Sequence, residues 1–301
     1  MKAVDCINNA HKAKLVVPSF NIPYLPMLKP VVRAVVEKDA FALIAVARLE
    51  WIKFQSRSLE AVKKEFDKWN NPKHVLLHLD HVPVIDEDNL EVDYVSVIGK
   101  AIDLGYDSVM VDGSRLDFNR NIEVTGEVVE MAHAAGIGCE AELGAVLGHE
   151  EGTIPPYEEL FSSGRAFTKV NEAERFVSET GCDWLSVSVG NVHGAVSKSK
   201  RDDKKIEARL NLDLVQELSE VTGIPLVLHG GSGIQRKFIL EAIKRGIAKM
   251  NIGTEIRQAY EKMLVKTGNV QETQKSVFER TSYLLDDYLC LNGTCAVVTY
   301  S

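Results

Sequence analysis

The sequence lacks several features that mark large classes of protein. No uncharged apolar run reaches the ~18 residues that a membrane-spanning helix requires, and the first residues contain no long apolar segment of the kind found in secretory signals. There is no excess of basic charge, since the net charge is -8 and the isoelectric point is near 5.6. A protein whose main partner is nucleic acid or an anionic membrane would be expected to have a basic face. We therefore expect a cytoplasmic protein that binds a small molecule.

The cysteines also argue against two kinds of site. They are odd in number and widely scattered, and no two of them form a CxxC pair: Cys6, Cys139, Cys182, Cys290 and Cys295. Neither a disulfide framework nor a thiolate zinc site is therefore indicated. Three of the cysteines lie in or beside apolar runs, where we expect inert core residues.

Eight short apolar runs recur at intervals of roughly 25 to 45 residues. They are LVVPSFN (15–21), ALIAVA (42–47), HVLLHLD (74–80), SVMVDG (108–113), GCEAELG (138–144), WLSVSV (184–189), PLVLHG (225–230) and KMNIGT (249–254). Such runs are typical of strands buried on both faces of a parallel sheet. The segments between them have helical spacing of apolar residues, and several end in glycine, the usual signal of a helix C-terminus.

Strand and helix patterns alternate eight times, which favours a closed (β/α)8 TIM barrel, of class α/β, over an open doubly wound sheet. No glycine fingerprint of the kind that binds cofactors follows the first run, which further disfavours the open sheet. A chain of 301 residues that is 45% hydrophobic can bury one large core, so we predict a single domain over 1–301. Residues 255–301 are predicted as a C-terminal helical extension that packs on the barrel or mediates oligomerisation.

Two polar segments leave alternatives open. Residues 197–210 are highly charged and follow the sixth run, and residues 148–165 follow the fifth. Each segment is either a solvated loop or a mobile lid that carries substrate-binding side chains.

Three histidines follow predicted strands, at the end of a parallel barrel where active sites are built. His81 follows the third strand, His193 follows the sixth and His229 ends the seventh. A lone buried histidine is more often a hydrogen-bonded core residue, but three at equivalent strand ends favour a shared ligand. Three imidazoles with a fourth position open are the usual arrangement for catalytic zinc, which would polarise a carbonyl oxygen.

Asp80 directly precedes His81. Strand alternation turns the two side chains differently while keeping both near the metal. That placement suits a general acid/base acting on a substrate hydroxyl, and the alternative is a partner that orients a ligand histidine. His78, on the same strand, is predicted to face the barrel interior as a packing residue.

Glycine and hydroxyl-bearing residues follow the last two strands, in HGGSG (229–233) and NIGT (251–254). Loops at these positions commonly bind phosphate, because glycine lets backbone N–H groups approach the oxygens and a following helix N-terminus favours anions. A turn without chemical consequence is the alternative for either loop alone. Together the two loops predict a phosphate site.

These motifs resemble those of the class II, zinc-dependent fructose-bisphosphate and tagatose-bisphosphate aldolases. The matching segments occur in order over roughly 15–257, and they are HLDH (78–81), VMVDGS (109–114), NI (121–122), EAELG (140–144), GNVHG (190–194), PLVLHGGSG (225–233) and NIGTEIR (251–257). The resemblance implies reversible aldol cleavage of a ketose phosphate or bisphosphate to dihydroxyacetone phosphate and an aldehyde such as glyceraldehyde 3-phosphate. It also implies one catalytic zinc ion, with a second divalent or a monovalent cation as an open alternative, and a homodimer or homotetramer.

The resemblance assigns roles to single residues. The implied zinc ligands are His81, His193 and His229, with Glu142 as a carboxylate that approaches the metal in some members. Asp80 is implied to be the acid/base that removes the C4 hydroxyl proton, and Glu150 an acid on a mobile loop that assists proton transfer. The residues implied to hold the dihydroxyacetone phosphate half, with Asn251 beside the enediolate, are Gly194, Gly230, Gly231, Ser232, Asn251, Gly253 and Thr254.

The chain departs from the family mainly at the end that holds the aldehyde. Where members place a Ser and a Gly that bind the distal phosphate, this chain has ARLEWIKF (47–54), and we expect Arg48 to bind substrate there. Such a change would suit an unphosphorylated or differently charged aldehyde. Arg257 matches an arginine that reaches the distal phosphate in the neighbouring subunit, and Gly253 favours the tagatose-type subgroup.

Two other functions compete with the aldolase. A zinc hydrolase on the same fold usually has an HxH pair at the end of strand one, where this chain has PSFN. A non-catalytic relative could keep the metal-binding barrel, but the intact Asp80 beside three ligand positions disfavours it.

Overall fold

The strands of this chain form a closed barrel. The structure, a computed structural model, describes residues 1–144, 161, 163–164, 166–191, 209–231 and 233–300. Each strand pairs in parallel with the next along the chain, and the first pairs with the last. The strands are β1 Val17–Asn21, β2 Ala42–Ala47, β3 Val75–Pro83, β4 Ser108–Asp112, β5 Gly138–Leu143, β6 Trp184–Val187, β7 Leu226–Leu228 and β8 Ile247–Ile252. The predicted TIM barrel is confirmed, and each of the eight predicted runs overlaps a strand.

Helices alternate with the strands and surround the barrel. The described helices are α1 Ala3–Lys12, α2 Leu28–Glu37, α3 Arg48–Ile52, α4 Leu59–Trp69, α5 Tyr94–Asp103, α6 Phe118–Ala134, α7 Val170–Thr180, α8 Leu212–Thr222, α9 Arg236–Lys244, α10 Thr254–Thr267, α11 Val270–Tyr283 and α12 Cys295–Thr299. A 3-10 turn at Leu25–Met27 leads into α2, and a π-helical turn at Leu284–Tyr288 follows α11.

Local sequence signals set many of the helix ends. The side chains of Ser58 and Asp117 accept hydrogen bonds from first-turn N–H groups of α4 and α6, which satisfies donors that have no partner within the helix. Gly181 and Gly223 adopt the left-handed conformation directly after α7 and α8. Both glycines therefore act as the C-terminal caps that the sequence predicted.

The first and last helices close the N-terminal end of the barrel. Cys6 and Ile7 of α1 pack there with Trp184 of β6 and Val298 of α12 in a core cluster separate from the main one. The amide of Asn9 donates a hydrogen bond of 3.0 Å to the carbonyl oxygen of Val298. This face therefore contributes stability and leaves the opposite, C-terminal face for chemistry.

The C-terminal extension packs on the barrel, as one of its two predicted roles requires. Helix α10 packs against α11, and α11 also packs against α2. Within the described ranges, no helix is both long and apolar enough to cross a membrane.

Gly138 begins β5 at a place where no side chain fits. A Cβ atom at this position would lie 2.5 Å from Cη2 of Trp184 and 2.6 Å from Cγ2 of Val4. Trp184 is only 1% exposed, so its ring has little room to move.

We therefore expect Gly138→Ala to lower the free energy of unfolding by ~1–3 kcal/mol through overpacking, measured by urea denaturation. Gly126→Ala in α6 is the control, because no heavy atom lies within 4 Å of its added Cβ. That control should gain roughly 0.5–1 kcal/mol from the helix propensity of alanine. Wild-type stability in Gly138→Ala would contradict tight packing around Gly138.

Candidate active site

An irregularity in β3 directs two adjacent side chains to the mouth of the barrel. The pairing of β3 with β4 shifts register between Leu79 and Val82. Within this bulge, His81 has a positive φ of 30°, which is rare for a residue other than glycine. Regular alternation would send Asp80 and His81 to opposite faces of the sheet. The bulge instead brings one ligand atom each of Asp80, His81 and His229 within 4.8 Å of one another.

Two of the predicted zinc ligands meet at this point together with a carboxylate. The ring centroids of His81 and His229 are 4.5 Å apart. The Oε2 atom of Glu142 lies 3.2 Å from Nδ1 of His229 and 3.7 Å from Nδ1 of His81. The structure thus places His81, His229 and Glu142 around a common point, as the sequence predicted.

The surroundings of this point fit a divalent cation. Oε2 of Glu142 is buried and has no hydrogen-bond partner among the described residues. Burial alone would lower the pKa of His81, but the carboxylates of Asp80, Asp112 and Glu142 raise it to about 10. Several acids therefore surround each imidazole and favour a positive charge at this point. A metal ion would supply that charge in place of the proton. Imidazole and carboxylate ligands suit zinc, and Asp112, 3.2 Å from the same Nδ1 atom of His81, adds a further carboxylate to this group.

Asp80 is held by two amides. Asn21 donates a hydrogen bond of 2.8 Å to Oδ2 of Asp80, and Asn251 donates one of 2.8 Å to Oδ1. Burial alone would raise the pKa of Asp80, but positive charge on His81 and Lys249 outweighs it and lowers the pKa well below the usual range. The carboxylate is therefore ionised and fixed, as a base near a metal must be.

A buried ion pair lies beneath the site. Nζ of Lys249 is 2.8 Å from Oε2 of Glu140, and both side chains are inaccessible to solvent. Trp184 donates to the same oxygen at 2.5 Å, and Nε2 of His229 is 2.8 Å from Oε1. Burial would raise the pKa of Glu140, but Lys249 and His229 lower it to about 2. An anionic Glu140 keeps the proton of His229 on Nε2, which leaves Nδ1 directed at Glu142.

His78 is more than the packing residue that the sequence predicted. It faces the barrel interior, where its Nδ1 is 2.9 Å from Oγ of Ser108. Its Nε2 lies 3.6 Å from Oε2 of Glu140 and 3.8 Å from Oδ1 of Asp80. Burial is the main reason that its pKa is lowered to about 4, so the ring is neutral between these two acids.

The polar side chains beyond the end of β2 have partners within the protein. Arg48, predicted to bind substrate, forms an ion pair of 3.2 Å with Asp86. Arg115 donates to the carbonyl oxygen of Asp86 at 2.8 Å. Glu50 is buried, and its Oε2 accepts the Ala47 N–H at 2.8 Å. Burial raises the pKa of Glu50 to about 8, and the charge of Asp80 adds to the increase.

Arg257, which matches an arginine that reaches the distal phosphate in the neighbouring subunit, is also paired. Its guanidinium donates to Oε2 of Glu261 at 2.8 Å and lies over the ring of Phe54. It is only 9% exposed.

Several residues predicted to bind phosphate share a pocket between the ends of β7 and β8. Its lining includes Gly231, Asn251 and Gly253. Gly230 has a positive φ of 63°, and Thr254 is the first residue of α10, whose N-terminus faces this end of the barrel. The four other predicted site residues lie outside the described residues: Glu150, His193, Gly194 and Ser232.

Comparison with known proteins identifies the family to which this arrangement belongs. The family model described as fructose-bisphosphate aldolase class-II matches residues 1–288. The chain belongs to the class II fructose-bisphosphate aldolase family. Its members are aldehyde-lyases, so the enzyme class predicted from the sequence is confirmed.

Relatives of this aldolase match over most of their length. A fructose-bisphosphate aldolase of Geobacillus stearothermophilus is 32% identical over 279 residues, which cover 91% of this chain and 88% of that protein. A 6-phospho-5-dehydro-2-deoxy-D-gluconate aldolase of Bacillus licheniformis is 32% identical over 283 residues, covering 93% and 87%. The structure of the YdjI aldolase from Escherichia coli K12 is similar with a TM-score of 0.75 and 27% identity, covering 98% of this chain and 99% of that chain.

Sequence reasoning missed four residues that support the aldolase site, namely Asn21, Asp112, Glu140 and Lys249. Two of them carried a readable signal. Lys249 stands in the apolar strand IAKMNI, and Glu140 alternates with Glu142 in GCEAEL, although charged residues are almost never fully buried unless paired. A lysine and a glutamate in two buried strands of one barrel are therefore candidates for mutual pairing.

Loss of Lys249 should leave Glu140 as an uncompensated buried charge. We expect Lys249→Met to lower the free energy of unfolding by ~3–5 kcal/mol at pH 7, measured by urea denaturation with a chelator present. The double variant Lys249→Met/Glu140→Gln should recover part of that loss, because it removes the buried anion as well.

The pH dependence of this loss has a defined sign. The pKa of Glu140 in the folded protein, about 2, lies below the ordinary glutamate value of 4.5. Its stabilising contribution is therefore complete above pH 4.5 and is lost as the pH falls toward 2. The stability difference between wild type and Lys249→Met should narrow over that window. A constant difference, or additive effects of the two substitutions, would contradict the pairing.

Proposed function

We propose that this protein is a zinc-dependent aldolase that reversibly cleaves a ketose 1-phosphate into dihydroxyacetone phosphate and an aldehyde without a phosphate group. The observation that carries the proposal is the meeting of His81, His229 and Glu142 at one point with Asp80 fixed beside them. His193, placed after β6 by the resemblance, would complete the ligand set. A divalent ion held there would act as a Lewis acid that polarises the ketone of the substrate.

Asp80 provides the proton transfer. Its two amide donors, Asn21 and Asn251, fix the orientation of the carboxylate. In the cleavage direction Asp80 accepts the proton of the C4 hydroxyl as the C3–C4 bond breaks. C4 becomes the aldehyde carbon, and the bonding electron pair stays with the C3 fragment, which then takes up a proton at C3 to give dihydroxyacetone phosphate. In condensation C3 loses that proton, and Asp80 returns its own proton to the new hydroxyl. A carboxylate held rigidly near the reacting oxygen needs little reorganisation during this transfer.

The phosphate of the ketose is proposed to bind at the pocket between β7 and β8. Gly231 and Gly253 line it, and the N-terminus of α10 begins at Thr254. A Cβ on Gly231 would lie 3.2 Å from Sδ of Met250, so a larger residue would crowd this wall. Glycine also leaves the backbone N–H groups open to phosphate oxygens.

The other end of the substrate site favours an aldehyde without phosphate. Two arginines predicted to bind substrate, Arg48 and Arg257, are each paired with a carboxylate. Glu50 adds a buried acid near Asp80. A phosphate dianion here would meet acidic groups and would have to break an existing ion pair to gain a cation.

The names of the relatives agree with a substrate site that varies at this end. One relative is named for fructose bisphosphate, which carries two phosphates. Another is named for a 6-phospho-gluconate derivative, which carries one phosphate and a carboxylate. Zinc as the ion in use, the homodimer or homotetramer and the cytoplasmic location remain predictions from the sequence.

The test is aldol cleavage across a panel of fructose and tagatose 1,6-bisphosphates, the matching ketose 1-phosphates and 6-phospho-5-dehydro-2-deoxygluconate, with detection of dihydroxyacetone phosphate. The zinc-loaded protein should release it, the chelated protein should not, and added zinc should restore the activity. Asp80→Asn should lower kcat by at least ~10²-fold. Asp107→Asn is the control, because that carboxylate accepts the Leu77 N–H at the opposite end of the barrel.

The outcomes separate the two parts of the proposal. A kcat/KM at least ~10-fold higher for a ketose 1-phosphate than for the matching bisphosphate supports the unphosphorylated aldehyde. The reverse preference overturns that part and keeps the aldolase. No release from any substrate by zinc-loaded protein would favour the non-catalytic relative.

A further inference from the structure

We propose a second metal site, for a zinc-like ion, at the N-terminal end of the barrel, formed by Asp39, His74 and Cys295. Asp39 lies in the turn between α2 and β2, His74 directly precedes β3, and Cys295 is the first residue of α12. One ligand atom of each lies within 4.8 Å of the other two. The site is separate from the proposed aldolase centre and does not depend on it.

A hydrogen bond through Nδ1 of His74 leaves Nε2 as the nitrogen that faces the other two ligands. Nδ1 lies 2.8 Å from the carbonyl oxygen of Ala40, so this nitrogen carries the proton. Nε2 therefore has the lone pair, and it is 3.9 Å from Oδ1 of Asp39. A backbone carbonyl that fixes the tautomer of a histidine is a usual feature of metal ligation. His74 is also 6% exposed, which restricts movement of the ring away from the site.

Backbone contacts hold the three ligand segments together without a metal. The N–H of Gly293 donates to the carbonyl oxygen of Lys38 at 2.9 Å, and that of Cys295 donates to Asp39 at 2.9 Å. The N–H of Ala42 donates to the carbonyl oxygen of His74 at 3.0 Å. Little ordering of the chain is therefore needed when an ion binds.

Asp39 occupies a position where backbone conformation alone would favour glycine. It follows α2 with a positive φ of 43°, in the left-handed region where glycine is the usual residue. Asp at this position retains a carboxylate at the mouth of the site, where its side chain is 53% exposed. Solvent can therefore reach the site and supply a fourth ligand.

The donor set selects the class of ion. A thiolate, an imidazole and a carboxylate with one open position suit Zn²⁺ and disfavour Mg²⁺ or Ca²⁺, which prefer oxygen ligands. Lys73 opposes binding, because its Nζ lies 3.7 Å from Oδ1 of Asp39. Its side chain is 49% exposed and can turn into solvent. A bound ion would join the C-terminal helix to the bottom of the barrel.

Cobalt(II) titration of the chelated full-length protein tests the site through its sulfur ligand. Only a thiolate gives a sulfur-to-cobalt charge-transfer band, whereas the aldolase centre is built from histidine and carboxylate. We expect this band. Cys295→Ser should abolish the band and reduce the stoichiometry by one Co²⁺ ion per chain. Cys290→Ser is the matched control, since Cys290 is exposed and lies five residues earlier.

Two further variants test metal binding at this site if Cys295→Ser folds poorly. Asp39→Asn, at the exposed ligand, should weaken Co²⁺ binding at this site at least ~10-fold. Lys73→Gln should tighten it by about 3- to 10-fold, because the competing ammonium is removed. Absence of the band in wild type, or a band that survives Cys295→Ser, would overturn the proposal.

Discussion

The pairing of Lys249 with Glu140 in the middle of the barrel supports two groups of the candidate site above it, His229 and Asp80. Glu140 accepts from Nε2 of His229 and so directs the other nitrogen of that ring toward Glu142. Lys249 also donates to the side-chain oxygen of Asn251 at 2.6 Å, and the amide of Asn251 holds Asp80. One buried ammonium group thus orients His229, a predicted metal ligand, on one side and Asp80, the predicted acid/base, on the other. A charge pair in this position is costly to desolvate and needs the hydrogen bonds that surround it.

Strand periodicity predicted a parallel sheet, because strands buried on both faces leave continuous apolar runs. The eightfold alternation of strand and helix then favoured the barrel over an open sheet. It also placed His81 and His229 at strand ends, where the fold brings them together. The orientation of His81 was not predictable, since the bulge that turns it depends on pairing between β3 and β4. The Lys249–Glu140 pair was missed because its partners are distant in sequence and meet only when the barrel closes. The Asp39, His74 and Cys295 cluster has no spacing signature for the same reason.

The two ends of the barrel serve different purposes. At the C-terminal end, buried acids and histidines with perturbed pKa values converge, which is usual at functional sites. At the N-terminal end, α1 and α12 seal the core around Trp184. Beyond the end of β2, Arg48 pairs with Asp86, and Glu50 accepts the Ala47 N–H. The polar groups on this side of the barrel mouth are therefore satisfied by one another or by the backbone.

Exchange of a C3 proton of dihydroxyacetone phosphate with deuterium in D2O, followed by NMR, tests whether this site activates the ketone half of the substrate. Condensation requires removal of that proton, so the exchange reports the metal-assisted half of the reaction and needs no knowledge of the aldehyde. Zinc-loaded protein is predicted to exchange one of the two C3 protons stereospecifically, and chelated protein neither. If protein that binds both zinc and dihydroxyacetone phosphate exchanges no proton, the site is not an aldolase centre.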